Sequence, residues 1–276
     1  MQRNRSAAVV VALIAVTLAT AAAAQVVQRS REVTNARAIT EGMPAWHGGF
    51  TFCRLRYDRS RSLPSGLGWS TDYPAADINF LTRLSELTAV PMSRLDDGSP
   101  GIAAVGATDP DLFRCPFLFM SDPGSYDFSV EEIERMREFL LKGGFLWADD
   151  MWGDYAFAQL ERNLRRILPE YPLVELDPGH RLFTSYFLVD EVPQIPSLNF
   201  WRRSGGRTSE FGWETDTPRL YALIDDDDRI LVLVSHNTDF GDSWEREADE
   251  PRYFAEFSAA GYAVGVNVAL WVLMGR

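Results

Sequence analysis

The 276-residue chain carries 27 basic and 39 acidic side chains, a net charge of −12. That balance argues against nucleic acid as a partner, because phosphate binding needs a basic surface. With 46% apolar residues and eight tryptophans the chain can bury a sizeable core, which excludes disorder over most of its length.

The first 24 residues read as a signal peptide. Arg3 and Arg5 form a positive start, an apolar run follows from Ala7 to about Ala19, and Ala22, Ala23 and Ala24 make a small-residue cleavage site before Gln25. The expected location is therefore periplasmic or secreted, with membrane attachment only if this segment is kept as an anchor. Its removal takes two arginines and no acid, leaving 25 basic against 39 acidic residues. Residues 25–47 mix Arg, Glu, Asn and Gln without a sustained period and read as an exposed lead-in. Residues 48–276 are expected to form a single domain.

FTFCRLRY (50–57) reads as a strand, and Ala75 to about Ala89 as a helix with Ile78, Leu81, Leu84 and Leu87 on one face and Asp72 or Pro74 at its start. If the first strand is central, Arg54 and Arg56 share a buried face and need partners, for which the aspartates further on are the simplest source. CPFLFMSD (115–122) is a second buried strand, ending at Asp122. Cys53 and Cys115 lie in or beside these apolar runs. Disulfide pairing in an oxidising compartment and two buried free thiols both remain open, and neither cysteine has a metal-ligand spacing.

Ser129 and Glu132 form a capping box, Val130, Ile133, Met136, Phe139 and Leu140 make an apolar helix face, and Gly143 with Gly144 ends that helix. A strand from Phe145 to about Asp149 follows, and Tyr155 to Leu168 is the next helix, closed by Pro169. Strand, helix, strand, helix with near-continuous apolar strands argues a parallel sheet covered on both faces. Ligands bind outside the carboxyl ends of such strands, the edge where Asp122, Asp149 and Asp150 fall.

The second half is less regular. LVEL (173–176) reads as a strand, the proline-rich stretch from Asp177 to Asn199 as a surface wrap, and RLYALI (219–224) with RILVLVSH (229–236) as a hairpin whose tip is Asp225 to Asp228. The apolar tail from Tyr262 to Met274 reads as a helix broken at Gly265 and Asn267, too short for a membrane span and packed against the sheet.

FTFCRLRY, GWSTDYPAADINF, SVEEIERMREFLLKGGFLWADD, HRLF, SGGR, NTDFGDSWE and GYAVGVN, in that order, resemble the bacterial family called domain of unknown function 4159. The likeness spans residues 48–276. It implies an α/β fold similar to class I glutamine amidotransferases, a three-layer flavodoxin-like sandwich with a mostly parallel central sheet. In those enzymes the turn matching Asp149, Asp150 and Met151 carries the nucleophilic cysteine. No cysteine stands there, so a thioester mechanism is excluded at that turn. The amidotransferase His and acid find a loose echo in His236 and Asp239, three residues apart.

Several readings of the acidic turn compete. Asp149 and Asp150 could share general acid and base work, although neighbours on a strand point to opposite faces. A divalent cation could be held by an Asp with Asp122, His180, His236 or Asp239, although no spacing is diagnostic and no cofactor is expected. Asp150 or Asp154 could simply cap the next helix, and His236 could be a hydrogen-bonded structural residue. Among the tryptophans, Trp69, Trp152, Trp213 and Trp244 sit in polar contexts that suit a sugar or peptide site, whereas Trp147 and Trp201 carry no such signal; core packing is the alternative for all of them. Arg207 follows SGG, where it could bind a carboxylate or phosphate.

The expected ligand-binding set is Asp122, Asp150, Trp152, Asp154, Arg207, Asn237, Asp239 and Trp244, with Asp149, Asp150 and His236 as catalytic candidates. The expected function is a binding module for a small polar ligand or an envelope protein. The alternatives are a carboxylate- or metal-dependent hydrolase, in which Asp149 or Asp150 meets His236 or His180, and an envelope scaffold without a small-molecule site.

Overall fold

The computed structural model describes residues 48–63 and 66–275; residues 1–47, which hold the expected signal peptide and lead-in, lie outside the described residues. The strands are β1 (Phe52–Arg56), β2 (Ile102–Gly106), β3 (Phe117–Ser121), β4 (Phe145–Asp149), β5 (Leu173–Glu175), β6 (Arg219–Ile224) and β7 (Ile230–His236). They form one sheet in the order β2-β1-β3-β4-β7-β6-β5. The run from β2 to β7 is parallel, with Phe119 beside Trp147 and Trp147 beside Leu233. β6 runs against both β7 and β5. This is the expected mostly parallel α/β sandwich, with the 2-1-3-4 strand order of flavodoxin-like sheets and β7 in the fifth place.

Strand β2, IAAVG, has no counterpart among the strands expected from sequence. It is only five residues long, and two alanines dilute its apolar signal.

Two helical layers cover the sheet. On one side α2 (Val130–Leu141) begins at the Ser129–Glu132 capping box and packs beside α3 (Gly153–Ile167). Leu118, Met120, Leu146, Ala148, Val232 and Val234 face this layer together with Met136, Leu140, Leu160 and Leu164. The other side holds α1 (Ala75–Leu87), α5 (Phe240–Glu245) and the C-terminal helix α6 (Pro251–Leu273), whose Phe254–Ser258 turn is π-helical. A short α4 (Leu198–Ser204) precedes β6.

Between that second layer and the sheet lies an aromatic core. Trp244 stands 4.5 Å from Phe80 and 5.5 Å from both Phe119 and Trp147, ring to ring. Trp244 is thus a core residue and not the loop-borne ligand contact expected from its polar neighbours.

Helix α6 corrects the reading of the tail. It runs 23 residues, long and apolar enough by length and composition to cross a membrane, but 61% of its apolar window is buried inside this fold. Gly265 and Asn267 do not break it. A side chain at Gly265 would collide with Phe80 and Trp244, so glycine permits the close approach. Asn267 accepts from the backbone N–H groups of Tyr186 (3.2 Å) and Phe187 (2.8 Å) and donates to the Phe187 carbonyl (2.9 Å). One buried amide in an apolar helix therefore pins the wrapping segment to the core.

The sulfurs of Cys53 and Cys115 form a disulfide, which settles the open choice between pairing and free thiols. Arg54 points to the opposite face of β1 and is fully buried. It pairs with Asp77 of α1 rather than with the aspartates of the strand tips, and donates to Thr71 O (2.6 Å), Trp69 O (3.3 Å) and Ser121 Oγ (2.7 Å).

Candidate functional site

The chain leaves the carboxyl ends of β3, β4 and β7 through three residues in the left-handed region: Asp122 (φ 48°), Asp150 (φ 58°) and Asn237 (φ 59°). Asp72, in the loop before α1, is a fourth (φ 62°). Non-glycine residues seldom adopt this conformation, and a group of them at one edge marks a place where side-chain identity is kept at a conformational cost.

The turns separate the two neighbouring aspartates. Asp149, the last residue of β4, is fully buried beneath α5, where its Oδ2 accepts from Gly241 N at 2.9 Å. Its Oδ1 is buried and makes no hydrogen bond. Asp150 turns the other way and lines an open cleft of about 540 Å³ together with Asp122. Both carboxylates lie at the bottom of this cleft, 5% and 1% exposed, whereas Trp213 and Tyr155 at its edge are 81% and 66% exposed. Trp152 and Phe211 add apolar wall, and Asp154 and Glu214 add acid. Asp122 Oδ2 accepts from Gly68 N at 3.0 Å, and its backbone carbonyl accepts from the Tyr57 hydroxyl at 2.9 Å.

Neither Asp150 nor Asp154 caps α3, contrary to the simplest reading of the turn. Asn237, reaching across from β7, accepts from Gly153 N at 2.9 Å through Oδ1 and donates to Thr217 O. Asp239 caps α5, accepting from Asp242 N at 2.9 Å. Asn237 and Asp239 therefore hold the rim together and do not line the cleft.

His236 packs at a tilt against Phe157, ring centroids 4.6 Å apart, and no hydrogen bond joins it to Asp149 or Asp150 among the described residues. Burial lowers its pKa below the ordinary imidazole value. His180 caps the 3₁₀ turn Arg181–Thr184 and lies with Asp227 and Asp228 of the hairpin tip that joins β6 to β7, at the other end of the sheet. The pairing of a rim aspartate with either histidine, on which the hydrolase alternative depended, is thus absent from the described residues. Arg207 is exposed in the loop after α4 and faces the Phe200 ring, outside the cleft. Trp69 is half-buried against Tyr73.

Behind the cleft lies an acidic cluster that sequence reading missed. Asp72, Asp242 and Glu245 bring one carboxylate oxygen each within 4.8 Å of the others. Asp242 and Glu245 sit on α5, a helix too short for a periodic signal, and Asp72 comes from a loop some 170 residues away in sequence. The pattern N-T-D-F-G-D-S-W-E does place Asp239, Asp242 and Glu245 at helical spacing, which was the available clue.

Burial is the main cause of every pKa shift here. It pushes Asp149 and Asp122 up to about 6, offset in each by backbone N–H bonds, from Gly241 and Gly68 respectively. Burial, then the charges of nearby acids, raises Asp72, Asp150 and Asp239 well above the carboxylate range. A carboxyl whose folded pKa exceeds its unfolded value binds its proton more tightly when folded, so its contribution to stability is full below about pH 4 and is lost as pH rises through the folded value. Stability should therefore fall as pH rises from about 4 through about 6. Asp149 alone, moving from 3.8 to about 6, corresponds to about 3 kcal/mol at most. Urea midpoints at pH 5 and pH 8 measure the slope; a higher midpoint at pH 8 contradicts it.

No curated protein matches the chain at a significant level. A family model described as Domain of unknown function (DUF4159) matches residues 51–273, which covers the whole sheet and both helical layers, and the chain belongs to that family.

Proposed function

We propose that the domain is an exported binding module whose cleft at the strand ends takes a small polar ligand with a hydroxyl-rich face, such as a sugar. The observation that carries this reading is the pairing of two enclosed acceptors, Asp122 and Asp150, with the solvent-exposed aromatic edge of Trp213 and Tyr155. Carboxyl groups take hydroxyl hydrogen bonds while ring faces stack on the apolar face of a pyranose. Export is supported by the apolar leader ending in Ala22, Ala23 and Ala24 and by the Cys53–Cys115 disulfide, since such bonds persist in oxidising compartments.

Titration of the purified protein against a panel of neutral mono- and oligosaccharides, with short peptides as the comparison class, tests the reading. A saccharide should bind, and its affinity should fall at least about tenfold in both Trp213→Ala and Asp150→Asn, the loss expected for a contact worth more than about 1.4 kcal/mol. A panel without a saccharide binder, or a binder indifferent to both substitutions, defeats it.

A further inference from the structure

Five acidic side chains gather behind the cleft and around the start of α5: Asp72, Asp149, Asp239, Asp242 and Glu245. Among the described residues the two arginines nearby do not balance them. Arg54 is committed to Asp77, and Arg246 reaches Glu245 at 2.6 Å and Asp242 only at 3.9 Å. Burying uncompensated carboxylates is costly, and proteins meet that cost with partners, protons or metal ions.

Within this group the geometry singles out three residues. One oxygen each of Asp72, Asp242 and Glu245 lies within 4.8 Å of the other two, a span that a single calcium-sized ion bridges with bonds of about 2.3 to 2.6 Å. A separate observation concerns hydrogen bonding. Asp72 Oδ2 is buried and meets no donor. It is packed against Gly241, where any added Cβ would collide with it, so the glycine keeps open the approach of this carboxyl to the head of α5. From the other side the fully buried Asp149 accepts from the Gly241 N–H through Oδ2, and its Oδ1 makes no hydrogen bond. Buried oxygens of this kind carry lone pairs that no protein hydrogen satisfies.

We propose that Asp72, Asp242 and Glu245 form a binding site for one divalent hard cation, with calcium the preferred ion. Three carboxylate donors, with no thiolate or imidazole in the group, select hard cations over zinc or copper. The ion joins the loop before α1 to α5 and so fastens two elements that are distant in sequence. The site does not include the cleft residues Asp122, Trp152 and Trp213, and it stands whether or not the cleft takes a saccharide.

Calorimetric titration of the full-length protein, stripped with chelator, with CaCl2 and separately with MgCl2 tests the proposal. The expected result is one calcium ion per chain, weaker magnesium binding, and a thermal midpoint raised by roughly 5 °C or more in saturating calcium. Asp242→Asn should weaken calcium at least about tenfold. Should that variant fail to fold by circular dichroism, Glu245→Gln, at a less buried position, carries the test with the same expected loss. Asp154→Asn, in the cleft, should leave calcium affinity unchanged. Absence of calcium binding, meaning that shared protons alone neutralise the cluster, overturns the proposal. So does magnesium binding tighter than calcium, or calcium binding that survives in the folded Asp242→Asn or Glu245→Gln protein.

Discussion

Asp77→Ala is expected to cost about 3 to 5 kcal/mol, the largest single loss among the ion pairs of the described residues, because it leaves the Arg54 guanidinium buried without its carboxylate. Both side chains are fully buried, whereas the other ion pairs described lie at least partly in water, where such a pair contributes about 1 kcal/mol or less. Arg54→Met should cost a similar amount by stranding Asp77. The double replacement Arg54→Met with Asp77→Leu should lose clearly less than the two single losses added together, since no charge is then buried alone. A residual loss should remain, because Thr71 O and Ser121 Oγ give up the donor that ties the rim loop to β1 and β3. Urea unfolding of the four proteins measures the cycle. An Asp77→Ala loss under 1 kcal/mol would show that the pair is not the buried clamp described.

The second large effect is at the disulfide. Cys53 on β1 and Cys115 just before β3 are 62 residues apart, and the loop they close includes α1 and β2. Closing a loop of that length in the unfolded chain is worth about 4 kcal/mol. Cys53→Ala with Cys115→Ala should therefore lower the thermal midpoint by about 10 °C. Both sulfurs are buried, so mild reductant acting on the native protein should have little effect until the chain is partly unfolded. A double variant that melts within 2 °C of the parent would contradict the estimate.

What was legible in the sequence followed from local signals. The Ser129–Glu132 capping box, the apolar face of α2 and the double glycine after it placed the helix and the strand behind it to within a residue or two. The alternation of strands and helices gave the parallel sheet, and with it the edge where Asp122 and Asp150 stand. What was not legible depended on contacts between distant segments. Cap assignment failed because the acceptor for Gly153 N–H is Asn237 Oδ1, 84 positions away, and no local pattern announces it. Trp244 looked like a loop residue because its neighbours are polar; its ring is buried because α5 turns it toward the sheet. The acidic triad escaped notice since Asp72 joins it only through the folded loop. His180 was a candidate by residue type alone, and strand direction put it at the far end.

The left-handed aspartates bear on how this domain can be altered. Asp72, Asp122 and Asp150 hold backbone geometry that glycine would adopt more readily, so a selection for heat tolerance alone would be drawn to these three codons. Such gains would come at the expense of the two places proposed to hold another molecule. Robustness and recognition are set against each other at the same three positions, and hardened variants should be checked for what they no longer hold.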